Sequence, residues 1–122
     1  MSDASKTVLL VDDEPDIRFT ARFMLENEGY SLLEASTGEQ ALELLDQTTP
    51  DAILLDIRLP GIQGWDVLDH VRSNQPDVPV VMMSAHSSGD TMKRAMDQGS
   101  TAYLLKPFKQ DELLRVLQDV TS

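Results

Sequence analysis

Cysteine is absent from the 122 residues, so neither a disulfide framework nor a thiolate metal site is open to this chain. That suits a reducing cytoplasm. Basic residues are scarce: ten Lys and Arg stand against 21 Asp and Glu, a formal charge of −11. A surface of that sign repels phosphate backbones, so direct nucleic-acid binding is not expected. No basic segment leads into an apolar run, and no apolar stretch is long enough to cross a bilayer. A soluble, cytoplasmic protein that does not bind membranes is expected. There is no internal repeat, linker or low-complexity tract, so residues 1–122 are read as one domain with no output domain in this chain. An apolar fraction of 41% with 25% charged residues indicates a folded chain with a real core.

Short apolar runs alternate five times with amphipathic stretches. The runs are Thr7–Val11, Tyr30–Glu34, Ala52–Leu55, Val78–Met83 and Ala102–Leu105, and they read as buried strands of a parallel sheet. The first helical pattern opens at Asp13-Glu14-Pro15, with proline in the first turn where its missing N–H costs nothing. It carries Ile17, Ala21, Met24 and Leu25 on one face and stops at Gly29. The second begins at Thr37, with Gln40 at capping-box spacing, and ends before Pro50. The third follows Gly64 and buries Val67, Leu68 and Val71. The fourth starts near Ser88, buries Met92, Ala95 and Met96, and stops at Gly99. The fifth runs from about Gln110 with Leu113, Leu117 and Val120 on one face. Such β-α units with short links predict a doubly wound α/β fold, with helices on both faces of a five-stranded parallel sheet.

In an open α/β sheet the ligand site lies beyond the carboxyl ends of the strands, at the switch point of strand order. Asp12 and Asp13 follow the first run, Asp56 the third, Ser84 the fourth, and Lys106 with Pro107 the fifth. In the flavodoxin-like order 2-1-3-4-5 the first and third strands are neighbours, which brings three carboxylates together. Clustered carboxylates repel one another unless a cation compensates. With no histidine or cysteine at these ends, the donors are hard oxygens, which select Mg²⁺ or Mn²⁺ over zinc. An aspartate beside such a cation, a lysine and a hydroxyl is equipped to hold a phosphoryl group. Each element also has an ordinary reading by itself: acids at a helix N-terminus, a loop aspartate, a turn serine, a surface lysine. Their chemistry is complementary only when they are taken together.

The segments Val8-Leu9-Leu10-Val11-Asp12-Asp13-Glu14-Pro15, Leu55-Asp56-Ile57-Arg58-Leu59-Pro60-Gly61-Ile62-Gln63-Gly64, Met83-Ser84-Ala85-His86 and Tyr103-Leu104-Leu105-Lys106-Pro107-Phe108 resemble the receiver domain of bacterial two-component response regulators. The resemblance covers essentially the whole chain, with the four blocks in order. It implies that Asp56 is the phosphoacceptor, attacking the phosphorus of a phosphohistidine on a sensor histidine kinase or phosphotransfer protein. Asp13 and Asp56 would ligate Mg²⁺ directly with the backbone carbonyl of Arg58, and Asp12 would act through water. Lys106 would pair with Asp56 at rest and with the phosphoryl group afterwards, and the hydroxyl of Ser84 would turn to a phosphate oxygen. Tyr103 would move inward as Ser84 moves, although by itself it reads as a good edge-strand residue. The Lys106–Pro107 peptide would be cis.

Arg58 and His86, two residues beyond Asp56 and Ser84, read either as solvated loop residues or as groups that tune the lifetime of the acyl phosphate. The resemblance further implies a switch module that catalyses its own phosphorylation and autodephosphorylation. Its fourth helix, fifth strand and fifth helix would act on a downstream protein or a covalently linked output domain. That face would carry Lys93, Arg94, Tyr103 and Lys109 as an island of positive charge. Three alternatives fit the residues less well. An aspartyl-phosphate phosphohydrolase of the haloacid dehalogenase type wants a second acid two residues after its nucleophile, where this chain has Arg58. A flavin domain wants a Ser/Thr/Gly-rich phosphate loop where this chain has Asp12-Asp13-Glu14-Pro15. A receiver that is not phosphorylated would have lost an acid or the lysine.

Overall fold

The computed structural model describes residues 6–85 and 89–122. Five strands, β1 (Thr7–Val11), β2 (Ser31–Ala35), β3 (Ala52–Asp56), β4 (Val80–Ser84) and β5 (Ala102–Leu105), alternate with five helices. These are α1 (Pro15–Glu26), α2 (Gly38–Gln47), α3 (Gly64–Asn74), α4 (Gly89–Asp97) and α5 (Gln110–Thr121). The strands form one parallel sheet in the order β2-β1-β3-β4-β5, as the sequence predicts.

Strand alternation sorts the core into two layers. Leu9, Val11, Ile53, Leu55, Val80 and Met82 pack against α2, α3 and α4. Val8, Leu10, Leu54, Val81, Met83 and Leu104 pack against α1 and α5. The strands are apolar on both sides because both sides are covered.

Local chemistry explains most boundaries. The hydroxyl of Thr37 accepts from the Gln40 N–H at 3.1 Å and starts α2. The return bond runs to the preceding residue, with Ser36 N donating to Gln40 Oε1 at 2.8 Å. α1 ends at Glu26, and a turn carries the chain to Gly29, whose φ of +90° favours glycine. β2 begins and ends one residue later than its apolar run suggests, because Ser31 pairs with Thr7 and Ala35 with Val11. β4 starts at Val80 rather than Val78, since Pro79 has no N–H to give a ladder.

The fourth helix differs from expectation. Met92 and Met96 are 42% and 46% exposed, and Ala95 is the buried residue of α4. Polar contacts with α3 set the helix's rotation. Arg94 lies over the ring of Trp65 at 4.2 Å from its centroid, and Gln98 Nε2 donates to Trp65 O at 2.9 Å and Asp69 Oδ1 at 3.0 Å. The expected start at Ser88 lies outside the described residues.

Candidate functional site

The alternation that sorts the core also decides which polar groups meet at the strand ends. Asp12 continues the register of Val8 and Leu10, Asp56 that of Ala52 and Leu54, and Lys106 that of Leu104. All three therefore belong to the α1/α5 side. Ser84 continues Val80 and Met82, and so belongs with Tyr103 to the α3/α4 side.

Lys106 Nζ lies 2.6 Å from Asp12 Oδ2, 3.0 Å from Asp56 Oδ2 and 3.4 Å from Glu14 Oε1. Asp12 is fully buried and Asp56 is 6% exposed, so these charges are shielded from water. The expected pair of Lys106 with Asp56 is present, but Asp12 is the nearer partner. Asp56 Oδ1 also accepts from the Arg58 N–H at 3.3 Å. Burial, and then the neighbouring Asp12 carboxylate, raise Asp56 to about 6, against the opposing pull of Lys106. Burial works against the charge of Lys106, but the hydrogen bonds and charges of Asp12 and Asp56 outweigh it, and the ammonium titrates above the ordinary lysine value.

Two local devices hold the acids. In the turn after β1, Asp12 Oδ1 accepts from Glu14 N at 2.9 Å, and Arg18 Nη1 donates to the Asp12 carbonyl at 2.6 Å. Beneath Asp56, α3 abuts the backbone directly: a Cβ on Gly64 would stand 2.2 Å from the Asp56 carbonyl oxygen and 2.8 Å from Ile57 Cα. Glycine is required there by close approach. Gly64 closed one of the sequence segments, but nothing in a sequence distinguishes a close-approach glycine from a turn glycine.

Carboxylate oxygens of Asp12, Asp13, Glu14 and Asp56 lie within 4.8 Å of one another, with Asp13 and Glu14 at the exposed rim. This acidic cluster could hold a metal ion, and its all-oxygen donor set fits a hard cation. Asp12 Oδ2 is buried, and its contact is with a cation, the Lys106 ammonium, rather than with a neutral hydrogen-bond donor, which fits a carboxylate set that takes up positive charge. Glu14, which the sequence assigned only to a helix start, joins the cluster.

The remaining residues are more dispersed. Ser84 is buried at the end of β4, and the Lys106 N–H donates to its carbonyl at 2.9 Å. The Lys106–Pro107 peptide is cis. Tyr103 is half-buried on β5 beside Met82. Arg58 is exposed on the loop after β3, and His86 lies outside the described residues. The expected positive island is not assembled: Lys93 pairs with Asp97 at 2.7 Å, and Arg94 turns to Trp65 on α3.

Among proteins of known family, the chain matches the response regulator receiver domain over residues 8–118. It is 44% identical over 112 residues to the alginate biosynthesis transcriptional regulatory protein AlgB of Pseudomonas aeruginosa, covering 92% of this chain and 25% of that protein. It is 36% identical over 115 residues to the DNA-binding transcriptional regulator NtrC of Escherichia coli, covering 94% of this chain and 24% of that protein. The chain thus spans about a quarter of the length of these relatives. A solved CheY-like receiver domain from Methanospirillum hungatei superposes with a TM-score of 0.90 at 27% identity, covering 95% of this chain and 93% of that one. With the fold, the strand-end acids and these matches in agreement, this chain belongs to the response regulator receiver domain family.

Proposed function

We propose that Asp56 accepts a phosphoryl group from a phosphohistidine on a sensor histidine kinase or phosphotransfer protein. The chain would then act as a phosphorylation-dependent switch on a downstream protein or linked output domain. One observation carries this reading: Lys106 bridges the buried Asp12 and Asp56 within a cluster of four carboxylates at the switch point of the sheet.

Asp13 and Asp56 would hold Mg²⁺, or Mn²⁺, with the Arg58 carbonyl, and Asp12 would act through water. Bound there, the cation supplies positive charge that offsets both the carboxylates and the phosphoryl oxygens. At neutral pH most Asp56 is ionised, since its carboxyl titrates at about 6, and one of its oxygens attacks phosphorus. The Lys106 ammonium neutralises charge on a phosphoryl oxygen, and the Ser84 hydroxyl donates to another. Ser84 shares its side of the sheet with Tyr103, so a displacement of Ser84 opens space toward the tyrosine and then toward α4, β5 and α5. Phe19 and Phe23, exposed on α1 directly after the acidic turn, provide apolar area for a protein phosphodonor. Arg58 and His86 are candidates for setting the lifetime of the acyl phosphate.

The dehalogenase-type alternative is not favoured, because Arg58 stands where its general acid would be and the family match points elsewhere. Incubation with acetyl phosphate and Mg²⁺ should add one phosphate by intact mass in the wild type and none in Asp56→Asn. An adduct that persists in Asp56→Asn rules the assignment out.

A further inference from the structure

One turn into α1, the side chain of Arg18 reaches back to the acidic loop that precedes the helix. Its Nη1 donates to the Asp12 carbonyl oxygen at 2.6 Å, and its Nε lies 3.5 Å from Glu34 Oε1 on β2. Glu34 is held in turn by Arg22, whose Nη1 lies 3.3 Å from Glu34 Oε2. Arg18 is half-buried, so both of its contacts are partly shielded from water. β2 thus fixes the guanidinium, and the guanidinium fixes a carbonyl six residues earlier in the chain. Arginine suits this arrangement because its planar fork presents separate N–H groups to two partners in set directions.

The carbonyl of Asp12 belongs to the peptide that joins Asp12 to Asp13. The other backbone group of Asp12 is pinned as well, since its N–H donates to Ala35 O at 3.1 Å. A peptide unit is planar, so holding its oxygen sets the direction in which Asp13 leaves. Asp13 stands at the exposed rim of the acidic cluster. Among the described residues no hydrogen bond or ion pair holds its carboxylate, which is therefore placed by its backbone.

We propose that Arg18 is a positioning residue for the cation site: through the Asp12 carbonyl it aims the Asp13 carboxylate at the ion. The inference rests on the reading of Asp13 and Asp56 as ligands of Mg²⁺ or Mn²⁺. Two effects of the guanidinium oppose each other here. Its positive charge repels a cation nearby, but that charge is offset by Glu34 and screened by water. Its hold on the peptide favours the bound geometry, and partners that orient a ligand are worth roughly 10–100-fold in metal affinity. Orientation is the larger effect. Loss of Arg18 should therefore weaken cation binding, the opposite of what removal of a positive charge does by itself.

That difference of sign provides the test. Mn²⁺ binding is followed by the electron paramagnetic resonance signal of the free ion for the wild type, Asp13→Asn, Arg18→Met, Arg18→Lys and Arg22→Met. Arg18→Met should weaken binding about tenfold. Arg18→Lys keeps the charge and a donor but not the fork, and should fall between Arg18→Met and the wild type. Arg22→Met removes the same charge one turn further along α1 and should bind within about twofold of the wild type. Circular dichroism melts without metal check that each variant folds. If Arg18→Met does not fold, Arg18→Lys should still weaken binding at least about twofold, and wild-type affinity in Arg18→Lys then overturns the proposal. Binding by folded Arg18→Met as tight as the wild type or tighter, or equal weakening in Arg22→Met, also overturns it. A wild type that binds no Mn²⁺, or an Asp13→Asn that binds it equally well, overturns the reading of the cation ligands instead.

Discussion

The middle of the sheet and its β5 edge are built to different standards. β3 is buried along its whole length, from Ala52 to Asp56, and its neighbours β1 and β4 are nearly so. β5 buries Leu104 and leaves Leu105 exposed, while α4 beside it buries only Ala95 among its apolar residues. Asp12 and Asp56 therefore stand on a close-packed platform, where a displaced charge meets rigid walls. The helix that would report on them is held by a ring contact and two side-chain hydrogen bonds. Local stability is lowest where few apolar contacts anchor an element, and elements that move are drawn from such regions. The proposed chemistry and the proposed motion thus fall on regions of unequal firmness.

The most forceful way to break this contrast is to truncate a leucine in each region. Leu54→Ala, at a fully buried position on β3, should cost about 3–4 kcal/mol in urea unfolding, whereas Leu105→Ala should cost less than about 1. Similar losses at both positions would mean that the edge is as firmly packed as the centre.

Glycines provide the next comparison. A Cβ at Gly64 collides with backbone at Asp56 and Ile57, whereas one at Gly89 meets nothing within 4 Å. Gly64→Ala should destabilise by about 1–3 kcal/mol and disturb phosphorylation. Gly89→Ala should be neutral or stabilising by up to about 1 kcal/mol, by helix propensity. Thermal melts with phosphorylation assays check both.

Asp56 allows a pH test of the platform. Its folded value of about 6 lies above the ordinary 3.8, so folding favours the protonated acid. The stability tied to this group is complete below about pH 4 and is lost as pH rises through about 6. In metal-free solution, Asp56→Asn should therefore be more stable than the wild type above pH 6, on the order of 1 kcal/mol after allowance for solvent screening. The difference should fade below about pH 4. Adding Mg²⁺ should narrow it at neutral pH, because a cation that binds the folded carboxylates stabilises the wild type by mass action. A difference independent of pH would remove Asp56 as its source.

The subtlest effect concerns the path from platform to edge. With a beryllofluoride mimic of the phosphoryl group, amide NMR shifts should spread from Asp56 through Ser84 to Tyr103 and α4. Ser84→Ala should confine them to the Asp56 loop. Shifts that reach α4 as fully in Ser84→Ala would show that the serine does not carry the change.

Much of this was legible from residue order. Continuous apolar runs between amphipathic stretches identified five strands and five helices, and Pro15, Thr37 and Gly29 marked helix ends through chemistry confined to a few neighbouring residues. Polar residues following the first, third, fourth and fifth runs pointed to the strand-end cluster, because strand ends in an α/β sheet share one edge. The exposure of Met92 and Met96 was not legible. Periodicity identifies an apolar stripe on α4 but not which neighbour rotates the helix, and here Arg94 and Gln98 do so through Trp65, 29 and 33 residues away in the chain.

Local sequence thus determined element type, helix boundaries and the identity of the strand-end acids, since each depends on side chains within a turn or a pleat of one another. Tertiary structure decided that Asp12 stands nearer to Lys106 than Asp56 does, that α3 presses on the Asp56 backbone at Gly64, and that Arg94 leaves the β5 edge for Trp65. These are distances between elements, set by strand register and the packing of separate helices, and no short stretch of sequence contains both partners.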